Sequence, residues 1–170
     1  MTTIEYQAAV LEHKDRVHSY ARYLLRDAED ASDVAQECLV RLWTHRERVD
    51  PGPACRNWLL RAVHNLCIDR IRHRAKRVEV REDENAPEPL DGRPDPLRVA
   101  QAGEAAKRLE QALLDLSERD RAIVLLREVE GMPYDEIASM LGLNLGTLKA
   151  TLHRTREKLR AALLRAEVTP

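Results

Sequence analysis

The stretch Tyr134–Leu141 (YDEIASML), followed by Gly142-Leu143-Asn144 and then Leu145–Leu164 (LGTLKATLHRTREKLRAALL), decides the fold of this 170-residue chain. It reads as helix, tight turn, helix. Ala138 is small where two crossing helices must approach closely, and Gly142 supplies the permissive backbone that the turn requires. In the second helix Leu148, Leu152, Thr155 and Leu159 recur at steps of four, three and four and can face the first helix. The opposite surface then carries Thr147, Lys149, Ala150, His153, Arg154 and Arg156. Between Lys149 and Arg165 there are six bases and one acid, Glu157. A basic helix after a tight turn suits the DNA major groove, with cations for phosphate and a few side chains reaching base edges. A solvated basic face on an ordinary helical hairpin is the plainer alternative.

Working outward, the segment before this unit changes character abruptly. From Glu79 to Pro96 there are seven acids against two bases, and four of the chain's eight prolines. Such a segment buries too little apolar surface to repay its ordering, so it reads as a flexible, acidic, Pro-rich linker. From Arg56 to Arg77 the balance is reversed, with seven bases and one acid, Asp69. The formal charge of −1 hides this unevenness. The chain therefore divides into residues 1–77, a linker over 78–103, and residues 104–170.

The first unit also reads as helical. Around Ser32–Arg46 the residues Ala35, Cys38, Leu39, Leu42 and Trp43 follow helical spacing, with Ser32 as N-cap. Pro51, Gly52 and Pro53 break the chain, and helical spacing resumes over Trp58–Arg74. No stretch shows sustained period-two alternation, so the fold class is all-α: two small helical domains, the second a helix-turn-helix domain. Asp33, Gln36, Glu37 and Arg41 share one side of the earlier helix. A face suited to a basic protein partner and a merely solvated face remain equally good readings of it. In the later helix Arg61, Asn65, Asp69 and Arg72 form a stripe that runs into the basic segment His73–Arg77. Amide and guanidinium groups on one ridge can bond base edges or phosphates. Trp58 reads first as a core anchor and second as a stacking surface.

Composition excludes several classes. Hydrophobic residues make up 44 % and charged residues 34 %, while Phe is absent and aromatics total 4 %, which favours small Leu/Ala/Val-packed helical units. No apolar run approaches the roughly 20 residues of a membrane span, and the N-terminus MTTIEYQ lacks a signal-peptide pattern. Cys38, Cys55 and Cys67 form neither a disulfide framework nor a CxxC pair, and read as buried free thiols in a reducing cytosol. No cofactor, metal or catalytic residue is expected.

Three segments together match a known pattern: DAEDASDVAQECLVRLW (Asp27–Trp43), NWLLRAVHNLCIDRIRHRAKR (Asn57–Arg77), and LSERDRAIVLLREVEGMPYDEIASMLGLNLGTLKATLHRTREKL (Leu116–Leu159). From about Tyr6 to Leu164 the chain resembles an extracytoplasmic-function (ECF) sigma factor, a promoter-recognition subunit of bacterial RNA polymerase. The resemblance implies that the first domain is sigma region 2, with Asp33, Gln36, Glu37 and Arg41 docking on the β′ clamp helices of core polymerase. It implies that Arg61, Asn65, Asp69, Arg72, Arg74, Lys76 and Arg77 hold melted −10 DNA. The last domain is then sigma region 4, which meets the β flap and reads the −35 element through Tyr134, Thr147, Lys149, Ala150, His153, Arg154 and Arg156. The acidic linker would thread towards the RNA exit path. An anti-sigma factor is an expected inhibitor, and the protein is expected in the cytoplasm without membrane insertion. Three features depart from the family: Ala150-Thr151 stands where Ser-Arg is common, Cys38 or Leu39, and Cys55, replace usual aromatics, and Phe is missing altogether. The first bears on −35 preference, the others on packing. Competing readings are a conventional helix-turn-helix regulator, for which there is no room for a ligand or dimerisation domain, and a nucleic-acid enzyme using Asp30, Asp33 and Glu37 as metal ligands.

Overall fold

A computed structural model describes residues 1–81 and 103–164. It divides into two compact units, Met1–Asp91 and Gly92–Pro170, and all regular structure among the described residues is helical. The first unit holds α1 (Thr3–Leu25), α2 (Ala28–His45), a 3-10 turn (Arg46–Arg48) and α3 (Pro53–Arg81). The second holds α4 (Glu104–Leu114), α5 (Glu118–Val124) continued by a π-helical segment (Leu125–Val129), α6 (Tyr134–Leu141) and α7 (Leu145–Leu164).

Local chemistry sets the helix ends. At the start of α1, Thr2 Oγ1 accepts from Glu5 N–H at 3.2 Å while Thr2 N–H donates to Glu5 Oε2 at 2.6 Å, a reciprocal capping box. Arg26 ends α1 in the left-handed region, and the chain turns at once into α2. The N-cap of α2 is Asp27, whose carboxylate accepts from Asp30 N–H at 2.8 Å, so Ser32 lies inside the helix and does not cap it. The correction has a simple cause: Asp27 has the extended backbone a cap needs, well before the apolar spacing becomes visible. Helix α3 likewise starts earlier than its apolar stripe, at Pro53 behind a left-handed Gly52, as suits proline's fixed φ and missing N–H. It also continues through Arg81, so the first four positions of the expected linker, 78–81, are helical. The rest of that linker, up to residue 102, and Arg165 of the C-terminal basic run lie outside the described residues.

The core of the first unit is built from Val17, Ala21 and Leu24 of α1, Val34, Cys38 and Leu42 of α2, and Leu59, Leu60, Val63 and Cys67 of α3. Small side chains fill the space that Phe would fill elsewhere. Tyr20 is a buried aromatic, and its hydroxyl meets His64 Nδ1 at 3.0 Å. All three cysteines are buried and unbridged; burial pushes the Cys38 and Cys67 thiols up to about 12. Trp58 is only half-buried, its ring 5.7 Å from that of His45 at the edge of the unit, not the core anchor its spacing predicts.

In the second unit Leu114, Leu116, Ile123, Leu126, Ile137, Leu148 and Leu152 make the core, joined by a charged side chain, Arg121. Its Nε donates to Leu113 O at 3.0 Å, and its Nη2 donates to Leu114 O at 3.0 Å and Leu116 O at 2.7 Å. The guanidinium thus bonds carbonyls at and beyond the end of α4; Leu113 O also accepts from Leu116 N–H at 3.3 Å. The π segment is closed by Glu130 N–H donating to Leu125 O at 3.0 Å, and Gly131 then turns the chain with φ +65 towards α6.

Candidate nucleic-acid interface

The α6–α7 corner is made by three residues, Gly142, Leu143 and Asn144. Gly142 takes φ 64, ψ 37 and donates its N–H to Ala138 O. Leu143 N–H donates to the same carbonyl at 2.9 Å. Asn144 Oδ1 accepts from Thr147 N–H at 2.7 Å and so caps α7. With the corner fixed, Leu148, Thr151, Leu152 and Thr155 are buried, while Leu159 is half-buried. Thr151 joins the buried side, which the four-three-four spacing does not predict; its carbonyl accepts from Thr155 Oγ1 at 2.8 Å. Thr147, Lys149, Ala150, His153, Arg154 and Arg156 are all exposed on α7. Thr147, Ala150 and His153 border a shallow depression between Lys149 and Arg154. Arg154 Nη2 donates to Thr151 Oγ1 at 3.3 Å, so its guanidinium is steadied without being neutralised.

Two candidate residues on this corner have partners that the sequence does not announce. Tyr134, half-buried at the start of α6, carries the Arg127 guanidinium 4.5 Å above its ring centre. Arg156 Nη2 donates to Glu128 Oε1 at 2.6 Å, and this bond raises the guanidinium pKa further. Arg127 and Glu128 both belong to the π segment. Their roles come from tertiary placement, and no local spacing in the sequence signals them.

In the first unit Asp33, Gln36, Glu37 and Arg41 lie on α2, opposite buried Val34, Ala35, Cys38 and Leu42. Arg41 Nη2 donates to Glu37 Oε1 at 2.7 Å. Val40 is 62 % exposed among them, an apolar side chain on this face that a charge-based reading passes over. On α3, Arg61, Asn65, Asp69, Arg72, Lys76 and Arg77 are exposed. Arg74 differs from these. It pairs with Asp30, reaches Asp27 Oδ2 at 3.0 Å, and donates to Leu25 O at 3.4 Å. Arg70 meets Asp30 Oδ1 at 2.8 Å from the same side. These two arginines tie α3 to the start of α2, so Arg74 serves the domain's own packing.

A groove of about 490 Å³ runs between α2 and α3 over Val34 and Leu66. It brings Asp69 and Arg77 to the same side as Glu37 and Arg41, whereas Arg61, Asn65, Arg72 and Lys76 lie outside its lining. Asp30 pairs with Arg70 and Arg74, Glu37 accepts from Arg41 and Asp33 is exposed, so these carboxylates do not converge as metal ligands would. No group of three or more His, Cys, Asp and Glu among the described residues could hold a metal ion. No helix among them is long and apolar enough to cross a membrane.

Comparison with known proteins matches both units. Residues 9–77 match the family model for Sigma-70 region 2, and residues 106–159 match that for Sigma-70, region 4. The chain is 34 % identical over 161 residues to the ECF RNA polymerase sigma factor SigL of Mycobacterium tuberculosis, covering 93 % of this chain and 88 % of that one. It is 34 % identical over 152 residues to SigE of Mycolicibacterium smegmatis, covering 89 % of this chain but 58 % of SigE. SigW of Bacillus subtilis is 28 % identical, with 89 % and 84 % covered. Among solved structures, the sigma factor RpoE in complex with the anti-sigma factor NepR from Bartonella quintana matches with a TM-score of 0.76 at 22 % identity, over 97 % of this chain and 98 % of that one. CnrH in complex with the cytosolic domain of CnrY matches with a TM-score of 0.63 at 25 % identity, over 95 % and 88 %. With regions 2 and 4 in order along the chain, and relatives this similar over most of its length, the protein belongs to the ECF RNA polymerase sigma factors.

Proposed function

We propose that residues 1–77 bind core RNA polymerase and melted −10 DNA, and that residues 104–170 read the −35 element, with 78–103 linking the two. The observation that carries this reading is the α6–α7 corner, whose capped turn presents Lys149, Ala150, His153 and Arg154 together on one exposed helix face. Lys149 and Arg154 supply phosphate or guanine contacts, and Ala150 offers a methyl surface for which a thymine methyl is the natural partner. Tyr134 sits at the edge of this face, and the β flap is the expected polymerase contact of the same domain. On α2 the face of Asp33, Gln36, Glu37 and Arg41, centred on exposed Val40, suits the β′ clamp helices. On α3, Arg61, Asn65, Asp69, Arg72, Lys76 and Arg77 form the −10 set, while Arg74 acts from beneath by fixing α3. The protein works in the cytoplasm with the polymerase. An anti-sigma factor is its expected inhibitor, by analogy with the RpoE–NepR complex.

Run-off transcription with core polymerase tests the whole reading: the chain should direct initiation from a cognate promoter, and failure to support any transcript overturns it. Within that assay Asn65→Ala should reduce promoter melting, followed by permanganate reactivity, far more than core binding, because an extruded base is read by its hydrogen-bonding edge. Asp33→Ala with Glu37→Ala should weaken core binding by about 2 kcal/mol while the fold is retained. Unchanged core affinity in a titration removes the docking role.

A further inference from the structure

Among the described cations of α7, Arg156 is held by a carboxylate from another element. Glu128 Oε1 accepts from both Arg156 Nε at 3.0 Å and Nη2 at 2.6 Å, across 28 residues of sequence. The two side chains are 49 % and 42 % exposed, so the pair lies open at the surface. Lys149 has no carboxylate partner among the described residues, and Arg154 donates to a neutral hydroxyl. Arg160, further along, is held within its own helix by Glu157 at 3.1 Å.

The position of Glu128 follows from the π segment. The wider turn carries one residue more than an α-helix would, which places consecutive residues Arg127 and Glu128 against Tyr134 and Arg156. A phosphate approaching the Nε–Nη2 edge of Arg156 must displace a carboxylate already bonded by two donors, and at the remaining N–H groups it meets that carboxylate's negative charge close by. Lys149 and Arg154 impose no such exchange.

We propose that Glu128 is a positioning residue that withholds Arg156 from promoter phosphate and leaves Lys149 and Arg154 to carry the electrostatic part of −35 binding. The proposal rests on the assignment of α7 as the DNA-reading helix. Its consequence is discrimination: phosphate attraction is blind to sequence, so one cation held back weakens binding to every duplex and leaves the base contacts a larger share of the total.

The test titrates holoenzyme, made from the full chain and core polymerase, against a promoter duplex that supports run-off transcription and against an unrelated duplex, over a range of salt. Glu128→Gln keeps the side chain's size and removes its charge. It should tighten binding to both duplexes roughly threefold to tenfold and steepen the dependence of log affinity on log salt by about one, as an added phosphate contact does. Arg156→Ala should cancel both changes in the Glu128→Gln background, yet alter wild-type binding less than about twofold with the salt slope unmoved. Weaker binding by Glu128→Gln, or unchanged affinity and slope, overturns the proposal. So does a loss of more than about fivefold with a shallower slope for Arg156→Ala alone, which decides the matter even where Glu128→Gln does not fold. Lys149→Ala and Arg154→Ala should weaken binding. If they do and Glu128→Gln has no effect, only this proposal falls. If they leave binding and slope untouched, the assignment of α7 falls first and takes the proposal with it.

Discussion

His64 lies in the core of the first domain with its Nδ1 against the Tyr20 hydroxyl, and burial pushes its pKa down to about 4. An imidazolium there would lose its hydration, and that is the cost burial places on the charged form. Because the folded value is depressed, the unfolded chain binds more protons between about pH 4 and 6.5, so stability from this residue is complete above pH 6.5 and lost as pH falls towards 4. The full difference is roughly 3 kcal/mol, and buried His13, also lowered chiefly by burial, acts in the same direction. Urea unfolding at a series of pH values should therefore show acid destabilisation that His64→Gln flattens. Arg121 poses the opposite problem, a permanent charge at 2 % exposure. Arg121→Met keeps the length but abandons the carbonyls of Leu113, Leu114 and Leu116. Denaturation should show a loss of at least about 2 kcal/mol, since the buried Leu114 and Leu116 carbonyls lose the guanidinium, while Leu113 O keeps the Leu116 N–H. A loss well under that figure would mean that water replaces the guanidinium.

Among the helices, the α6–α7 turn gives the sharpest test of a backbone requirement. A Cβ on Gly142 would meet nothing within 4 Å, yet its φ is +64, so the cost of Gly142→Ala is conformational and not steric. Roughly 1 kcal/mol is expected, read as a lowered melting temperature of the second domain; an unchanged value would mean that the turn relaxes to another geometry. This element is legible in the sequence because its needs are local: a small Ala138 and a permissive Gly142 lie close together along the chain, and only the Asn144 cap comes from the structure. The start of α2 is less legible, because Ser32 and Asp27 are both good caps and only the backbone of the preceding turn chooses between them. The exposed cations of α7 can be counted from its period, but the capture of Arg156 by Glu128 cannot, since a π turn rotates the residues beyond it without any fixed sequence mark. Arg74 groups with the DNA-facing cations on charge and spacing alone, for a related reason: those show where a residue points, not that Asp27 and Asp30 wait beneath it.

At the scale of the whole chain, each unit has its own core, one packed around Leu24, Leu42 and Leu60 and the other around Ile123, Ile137 and Leu152. Two cores of this size should melt as separate cooperative units, so calorimetry of the full chain should resolve two transitions, and a single one with matching enthalpies would contradict this. Modification of Cys38 and Cys67 should be slow in native protein at about pH 8, because thiols raised to about 12 hold almost no thiolate and are shielded. Their labelling rate should follow unfolding of the first unit, and rapid labelling without loss of helix would show a local opening around α2 and α3 instead. The aromatic-poor packing has an optical consequence. Both tryptophans, Trp43 and Trp58, and all three cysteines belong to the first unit, Phe is absent, and the second unit contains one aromatic residue, Tyr134. Tryptophan emission and thiol reporters therefore observe the first unit alone. A protein followed by those signals would look fully native while α7 unravelled, and Tyr134, its ring beneath the Arg127 guanidinium, is the single natural chromophore placed to record that loss.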